Sequence, residues 1–188
     1  DVLVDLLGGI VGMIIISLID MLIVHKLILR LVRLLTFIPP ILLMIFIFGF
    51  SSDTGEESTS LSTQITKEVV QVMEEYVPSV VPIDAQRETF IGNVEHIIRK
   101  LAHMTEYAVL ALLLFIALRC NSVDKSRCIY MVLTICFIYA CSDEIHQLYV
   151  PGRHGSPVDV IIDMCGVSIV SVIYRCIYRR KSDEKECA

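Results

Sequence analysis

The sequence predicts an all-α, polytopic membrane bundle of five transmembrane helices with one extracellular amphipathic helix, and three observations predict it. Hydrophobic residues make up 55 % of the chain and mean hydropathy is +0.69, well above the range of a soluble domain of this length. Five apolar runs, at 6–24, 34–50, 100–118, 128–150 and 158–178, are each of roughly the 17 to 25 residues that cross about 30 Å of hydrocarbon. The connections between them alternate in charge. Residues 25–33 carry Lys26, Arg30 and Arg33 without an acid, 119–127 carry Arg119, Lys125 and Arg127 against Asp124, and the tail after Tyr174 carries Arg175, Arg179, Arg180 and Lys181. The positive-inside rule places these three in the cytoplasm. The alternating connections, 51–95 with nine acids against Lys67 and Arg87, and 151–157, then face outward. The chain's N-terminus lies outside and its tail, 179–188, inside.

The first run contains Asp20, which either snorkels or pairs with a neighbouring span. No signal-peptide n-region precedes it and residue 1 is Asp, so the chain is expected to be either processed or, the favoured reading, a segment of a longer one. They also resemble the last run. Asp1, Asp5 and Gly8 match Asp159, Asp163 and Gly166 in a D-x-x-x-D-x-x-G register that puts two acids and a glycine on one helix face. Either this is a chance likeness of apolar segments, or residues 1–24 are the tail of a preceding copy of the unit at 34–178. In the second run Pro39-Pro40 predicts a kink. Within the outer loop, 51–98, apolar residues recur at Leu61, Ile65, Val69, Val72, Met73 and Tyr76 until Pro78 and Pro82. They describe an amphipathic helix on the membrane surface or over the bundle mouth, as a plain cap or as a mobile lid.

The other three runs bear ionisable groups at one end each. Arg99, His103 and Glu106 fall on one face of the third, with Lys100 and Tyr107 beside them. On the fourth, Tyr139, Asp143, His146 and Gln147 share a face while Glu144 points elsewhere. Asp159 and Asp163 open the fifth. In the predicted topology all three ends reach a similar depth on the external side. Such groups are costly in hydrocarbon and mark a functional site by default; an interhelical ion-paired network that glues the bundle, and snorkelling to the headgroups, are the other readings. In the connector, Arg153 between Pro151-Gly152 and Gly155 suits bidentate capture of phosphate or carboxylate, or pairs with Asp159 or Glu144.

Several function classes drop out. No basic stripe with interleaved aromatics points to nucleic acid. The seven cysteines lie mostly in or beside apolar runs without a C-x-x-C pair, and read as small hydrophobes. H-x-x-E at His103–Glu106 and D-x-x-H at Asp143–His146 have spacings that facing helices use for metals, but no paired zinc motif occurs, and neither a metal nor a cofactor is predicted. G-x-S-x-G, P-loop and dinucleotide fingerprints are absent.

The residues in the later runs resemble the VanZ-like family of bacterial membrane proteins. The matching elements are Phe50-Ser51-Ser52 with the Ser-rich stretch to Ser62, then Arg99-Lys100-x-x-His103-x-x-Glu106-Tyr107. They continue with Tyr139-Ala140-x-Ser142-Asp143-Glu144-x-His146-Gln147, Pro151-Gly152-Arg153, and Asp159-x-x-x-Asp163-x-x-Gly166. The likeness covers 34–178. Val170 and Ser171 depart from it where a second Gly is expected, and the outer loop is longer than the short form. The resemblance implies a bacterial cell-membrane protein linked to resistance against the glycopeptide teicoplanin, which carries an acyl chain and acts at the outer membrane face.

Three expectations follow. The first is a non-enzymatic envelope protein whose external pocket, built from Arg99, Lys100, Glu144, Gln147, Arg153, Asp159 and Asp163, binds a lipid headgroup, a lipid-linked cell-wall precursor or a lipoglycopeptide. The second is a membrane-embedded hydrolase or transferase on a lipid-linked substrate. His103 or His146 would then be the acid–base group, with Glu106 and Asp143 among the catalytic candidates. In the third, the polar groups are structural only.

Overall fold

A computed structural model describes residues 2–52, 55–82, 86–151, 153 and 155–186; the side chains of 2–12, 14, 15, 19, 55–62 and 179–186 lie outside that description. Among the described residues the chain is all-helical: α1 (Val2–Leu35), α2 (Ile38–Ser52), α3 (Gly55–Tyr76), a 3₁₀ turn (Pro78–Val80), α4 (Arg87–Cys120), α5 (Lys125–Gln147) and α6 (Pro157–Glu186). Four segments are long and apolar enough to cross a membrane: Ile16–Ser52, Arg87–Cys120, Lys125–Gln147 and Pro157–Tyr178.

The N-terminal third departs from expectation. Residues 25–33, expected as a cytoplasmic connection, are helical and continue α1. Their basic residues alternate with Leu27, Ile28, Leu29, Leu31 and Val32, and nothing in that stretch breaks a helix. The break comes at Thr36–Phe37, where the Phe37 amide donates to the Leu34 carbonyl at 3.0 Å. Pro39 and Pro40 do not kink a helix from within. They sit in the first turn of α2, where an absent N–H removes no helical bond and φ is already set. The expected first span, 6–24, lies partly outside the described side chains. So does the D-x-x-x-D-x-x-G register at 1–8, leaving the repeat without a side-chain counterpart.

The core is formed by α4, α5 and α6, with α2 against α4 and α5. Tyr107, Leu110, Ala111, Phe115, Val132, Cys136, Ala140 and Val167 close its interior, joined by Ile47 of α2. Gly166 brings α6 against α4: a Cβ there would collide with the backbone carbonyl of Met104. Small residues allow such approach between helices. The exterior is apolar, with Ile45, Phe46, Leu101, Leu112, Ile116, Phe137, Ile138, Ile161 and Ile169 all exposed, while Asp143 and Asp163 are inside. An apolar exterior with the carboxyl groups turned inward suits hydrocarbon.

Turn chemistry brings the opposite ends of the helices together. Asp124 caps α5, its side chain accepting the Ser126 amide at 3.0 Å. Asn121 donates to the carbonyls of Ala117 (2.8 Å) and Arg33 (3.0 Å), joining the α4–α5 turn to the α1–α2 turn. Phe115 stacks on Tyr174 at 4.1 Å at that same end.

The amphipathic stripe lies on a helix, α3. Helix α3 packs on the first turns of α4 through Thr66 and Val70, both buried, with Arg87 bonded to Glu74 at 2.7 Å and Thr63 donating to Glu95 at 3.3 Å. Ile65, Val69, Val72 and Tyr76 of the stripe stay exposed.

Candidate functional site

Helices α2 and α5 end, and α6 begins, at the level where α4 passes Arg99 to Glu106. Two contacts register α2 against α5 there: Gln147 Nε2 donates to Ser51 Oγ at 2.8 Å, and Ser52 Oγ lies 3.1 Å from His146 Nε2. Lys100 Nζ lies 2.9 Å from Asp159 Oδ1, which places α4 and α6 at the same height. The connector folds back over α5 because residue 155 is glycine. A Cβ there would strike the Glu144 carbonyl oxygen, and the next amide, Ser156, donates to Glu144 Oε2 at 2.7 Å. Arg153 donates to the Phe50 carbonyl at 2.8 Å, tying the connector to α2.

Between these elements lies a cleft of about 200 Å³. Its α4 wall presents His96, Arg99, Lys100 and His103, its α5 wall Glu144 and Gln147, and its α6 wall Asp159, Ile162 and Asp163, with Arg153 from the connector. The spacing 96, 99, 100, 103 puts four nitrogen-bearing side chains on one face. The cleft is therefore basic on the α4 side and acidic on the α5 and α6 sides.

Eight of the eleven sequence-selected site residues line this cleft: Arg99, Lys100, His103, Glu144, Gln147, Arg153, Asp159 and Asp163. Three do not. Glu106 borders the neighbouring groove with Leu43, Leu101, Thr105 and Val109, although its Oε2 lies 3.6 Å from His103 Nδ1, an ion-pair rather than a hydrogen-bond distance. Asp143 is fully buried beneath the cleft, its Oδ2 accepting from Gln147 Nε2 at 3.1 Å. His146 turns to α2, stacking on Phe48 at 4.2 Å. Glu144, expected in the external pocket although off the face shared by Tyr139, Asp143, His146 and Gln147, is buried and lines the cleft. The physical reason is that α5 has neighbours on several sides. His146 meets α2 and Asp143 is enclosed in the core, whereas Glu144, about 100° further round from Asp143, meets the connector.

Sequence reasoning missed His96 and Ser51. His96 lies three and seven residues before Arg99 and His103, so the same helical spacing reveals it. Ser51 was part of a matching motif, and its role as the acceptor for Gln147 needed the packing of α2 on α5.

The electrostatics are balanced in number and incomplete in pairing. Three carboxylates and three permanent cations line the cleft. Lys100 and Asp159 pair, and Glu144 takes the Ser156 amide. Asp163, 2 % exposed, has an Oδ1 without a hydrogen-bond partner among the described residues, as do Asp143 Oδ1 and the Tyr107 hydroxyl below it. Leaving a buried acceptor unmade costs about 1–3 kcal/mol, more for a charged group. Arg99, half-buried on the opposite wall, makes no ion pair or hydrogen bond with the described residues. Among the described residues no group of three His, Cys, Asp or Glu is placed to hold a metal ion.

An apolar-skinned helical bundle with four segments able to cross a bilayer and a charged cleft let into one end belongs to the class of integral membrane proteins. The VanZ/LLP1 family model matches residues 36–178, and the chain belongs to that family. The match runs from the α1–α2 turn to Tyr178 and includes every residue of the cleft. Comparison with curated proteins returned no match, and neither did comparison with solved structures.

Proposed function

We propose that this protein is an integral component of the bacterial cell envelope whose cleft binds the phosphate-bearing headgroup of a membrane lipid or lipid-linked cell-wall precursor on the extracytoplasmic side. The observation that carries the reading is Arg99: a half-buried guanidinium without an ion pair among the described residues, lining the same cleft as Lys100 and Arg153. A planar five-donor fork in a partly desolvated cleft suits bidentate capture of a phosphate. The volume, about 200 Å³, lies below the roughly 300–1,000 Å³ of pockets that engulf drug-sized ligands. It suits a headgroup, and a whole lipoglycopeptide is far too large for it.

The orientation rests on the charge alternation of the connections, with 51–98 and 151–157 outside. In this arrangement residues 1–24 form a fifth span, the tail of a preceding unit, and 34–178 the VanZ-like domain. Helix α3 lies in the outer interface with Ile65, Val69 and Val72 toward lipid. Occupancy of envelope headgroups at the outer face would lower their access to teicoplanin, the link to glycopeptide resistance.

Lipids retained by the purified protein provide the test. Phosphate-bearing lipids are expected to be enriched over neutral diacylglycerols on the wild type, and Arg99→Ala is expected to lower that enrichment at least tenfold while leaving the protein folded. Equal retention by Arg99→Ala overturns the reading.

The enzyme reading has one observation in its favour, the His103–Glu106 contact beside the cleft. With Nδ1 turned to Glu106, Nε2 is the ring nitrogen left for a general acid–base role toward a ligand. His146, engaged with Phe48 and Ser52, is the poorer candidate. Turnover of a lipid-linked substrate that disappears in His103→Gln, with normal accumulation, would favour this second reading.

A further inference from the structure

The headgroup reading leaves one wall of the cleft unexplained. Phosphate recognition uses Arg99, Lys100 and Arg153, yet the opposite wall carries Glu144, Asp159 and Asp163. A site evolved for a plain anion would place repulsive carboxylates elsewhere. Two of the acids have partners here, Asp159 in Lys100 and Glu144 in the Ser156 amide. Asp163 does not: it is 2 % exposed, lines the cleft, and its Oδ1 lacks a hydrogen-bond partner among the described residues. Arg99, on the α4 wall, likewise has no ion pair among the described residues, so the two groups are not spent on each other.

Resting on the headgroup reading above, we propose that the ligand is zwitterionic: a phosphate ester that also carries a primary ammonium, as in a phosphoethanolamine or aminoacylated phosphate headgroup. The phosphate takes Arg99, and the ammonium takes Asp163 with Glu144 at the α5–α6 wall. Three features agree with this assignment. The lining has three carboxyl and three permanently basic side chains, which complements a ligand carrying both signs. Each set retains a member without an ion pair among the described residues. A compact ammonium with three donors can also serve a buried carboxylate from within a small cleft, where a bulky quaternary amine offers no donor.

Asp163 is held in place by the same helix contact that narrows the cleft. Gly166 lies three residues on, and its backbone meets the carbonyl of Met104, the neighbour of His103. The acid therefore lies one turn from a close approach of α4 and α6, in the same cleft as the basic face of α4.

The test measures binding of three soluble probes to the full chain in phosphatidylglycerol nanodiscs: glycerophosphoethanolamine, its N-acetyl derivative and glycerol 3-phosphate. Glycerophosphoethanolamine is expected to bind at least tenfold tighter than either of the others. Asp163→Asn is expected to abolish that preference while binding of glycerol 3-phosphate persists. The acetylated probe removes the ammonium without touching the protein, so the test survives even where Asp163→Asn does not fold. Equal affinity for the three probes overturns this inference and leaves the phosphate reading standing; no binding of any probe overturns both. Retention of phosphatidylethanolamine over phosphatidylglycerol from mixed nanodiscs assigns the headgroup to a lipid. Binding of the soluble probe without that retention assigns it to a free amino-phosphate.

Discussion

Gly166→Ala sets two effects of known size against each other. In a helix interior, replacing Gly by Ala stabilises by about 1 kcal/mol, through lower backbone entropy in the unfolded chain. At position 166 the added Cβ would meet the carbonyl oxygen of Met104, a backbone atom that cannot swing aside. Relief requires α4 and α6 to separate at the seam that aligns Lys100 with Asp159. Overpacking of this kind costs about 1–3 kcal/mol, so the collision matches or outweighs the propensity gain. The net expectation is a loss of up to about 2 kcal/mol, increasing in Gly166→Val. Gly92 of α4 provides the control, since a Cβ there has nothing within 4 Å; Gly92→Ala is expected to be neutral or stabilising by up to about 1 kcal/mol. Equilibrium unfolding of the purified protein in mixed micelles, followed by circular dichroism, gives the order Gly92→Ala, wild type, Gly166→Ala, Gly166→Val. A Gly166→Ala protein as stable as Gly92→Ala would refute the close approach of α4 and α6 and, with it, the shape of the cleft.

Three further outcomes follow from named contacts. His146→Ala removes the stack on Phe48 and the contact with Ser52; it is expected to lower unfolding stability by about 1–2 kcal/mol while headgroup retention stays at the wild-type level, because His146 does not line the cleft. Tyr139→Phe deletes the bond from its hydroxyl to the Met44 carbonyl, 2.5 Å long, and is expected to cost about 1 kcal/mol, with faster amide exchange confined to α2. Asp124→Ala uncaps α5 and is expected to cost about 0.5–2 kcal/mol in the same unfolding assay, leaving ligand retention intact.

The membrane-crossing parts of the fold were legible because a bilayer imposes one length and one composition on every span. The runs 100–118 and 158–178 fall inside α4 and α6, and the run 128–150 coincides with α5 up to its end at Gln147, for that reason. The boundary between the first two runs was misread. Lys26, Arg30 and Arg33 indicated a connection by charge, but charge does not break a helix, and the turn came instead where Pro39-Pro40 required a helix start. The α3 stripe was also visible as amphipathic, yet periodicity cannot say which of two faces meets a neighbour. Thr66 and Val70 face α4, and the stripe is left outside.

The polar site divides along the same line. Chain order and helical spacing alone selected Arg99, Lys100, His103, Asp159 and Asp163, since residues three and four apart on one helix share a face whatever surrounds it. Only tertiary packing decided that Glu144 and Gln147 reach the cleft from different faces of α5, that His146 turns toward α2 and Asp143 into the core, and that Glu106 opens on a separate groove. A helix enclosed on several sides buries more than one face, so its own periodicity cannot rank them. That ranking is set by which neighbour arrives at each angle, and those neighbours are brought in by chain segments up to about a hundred residues away, as Ser51 is to Gln147.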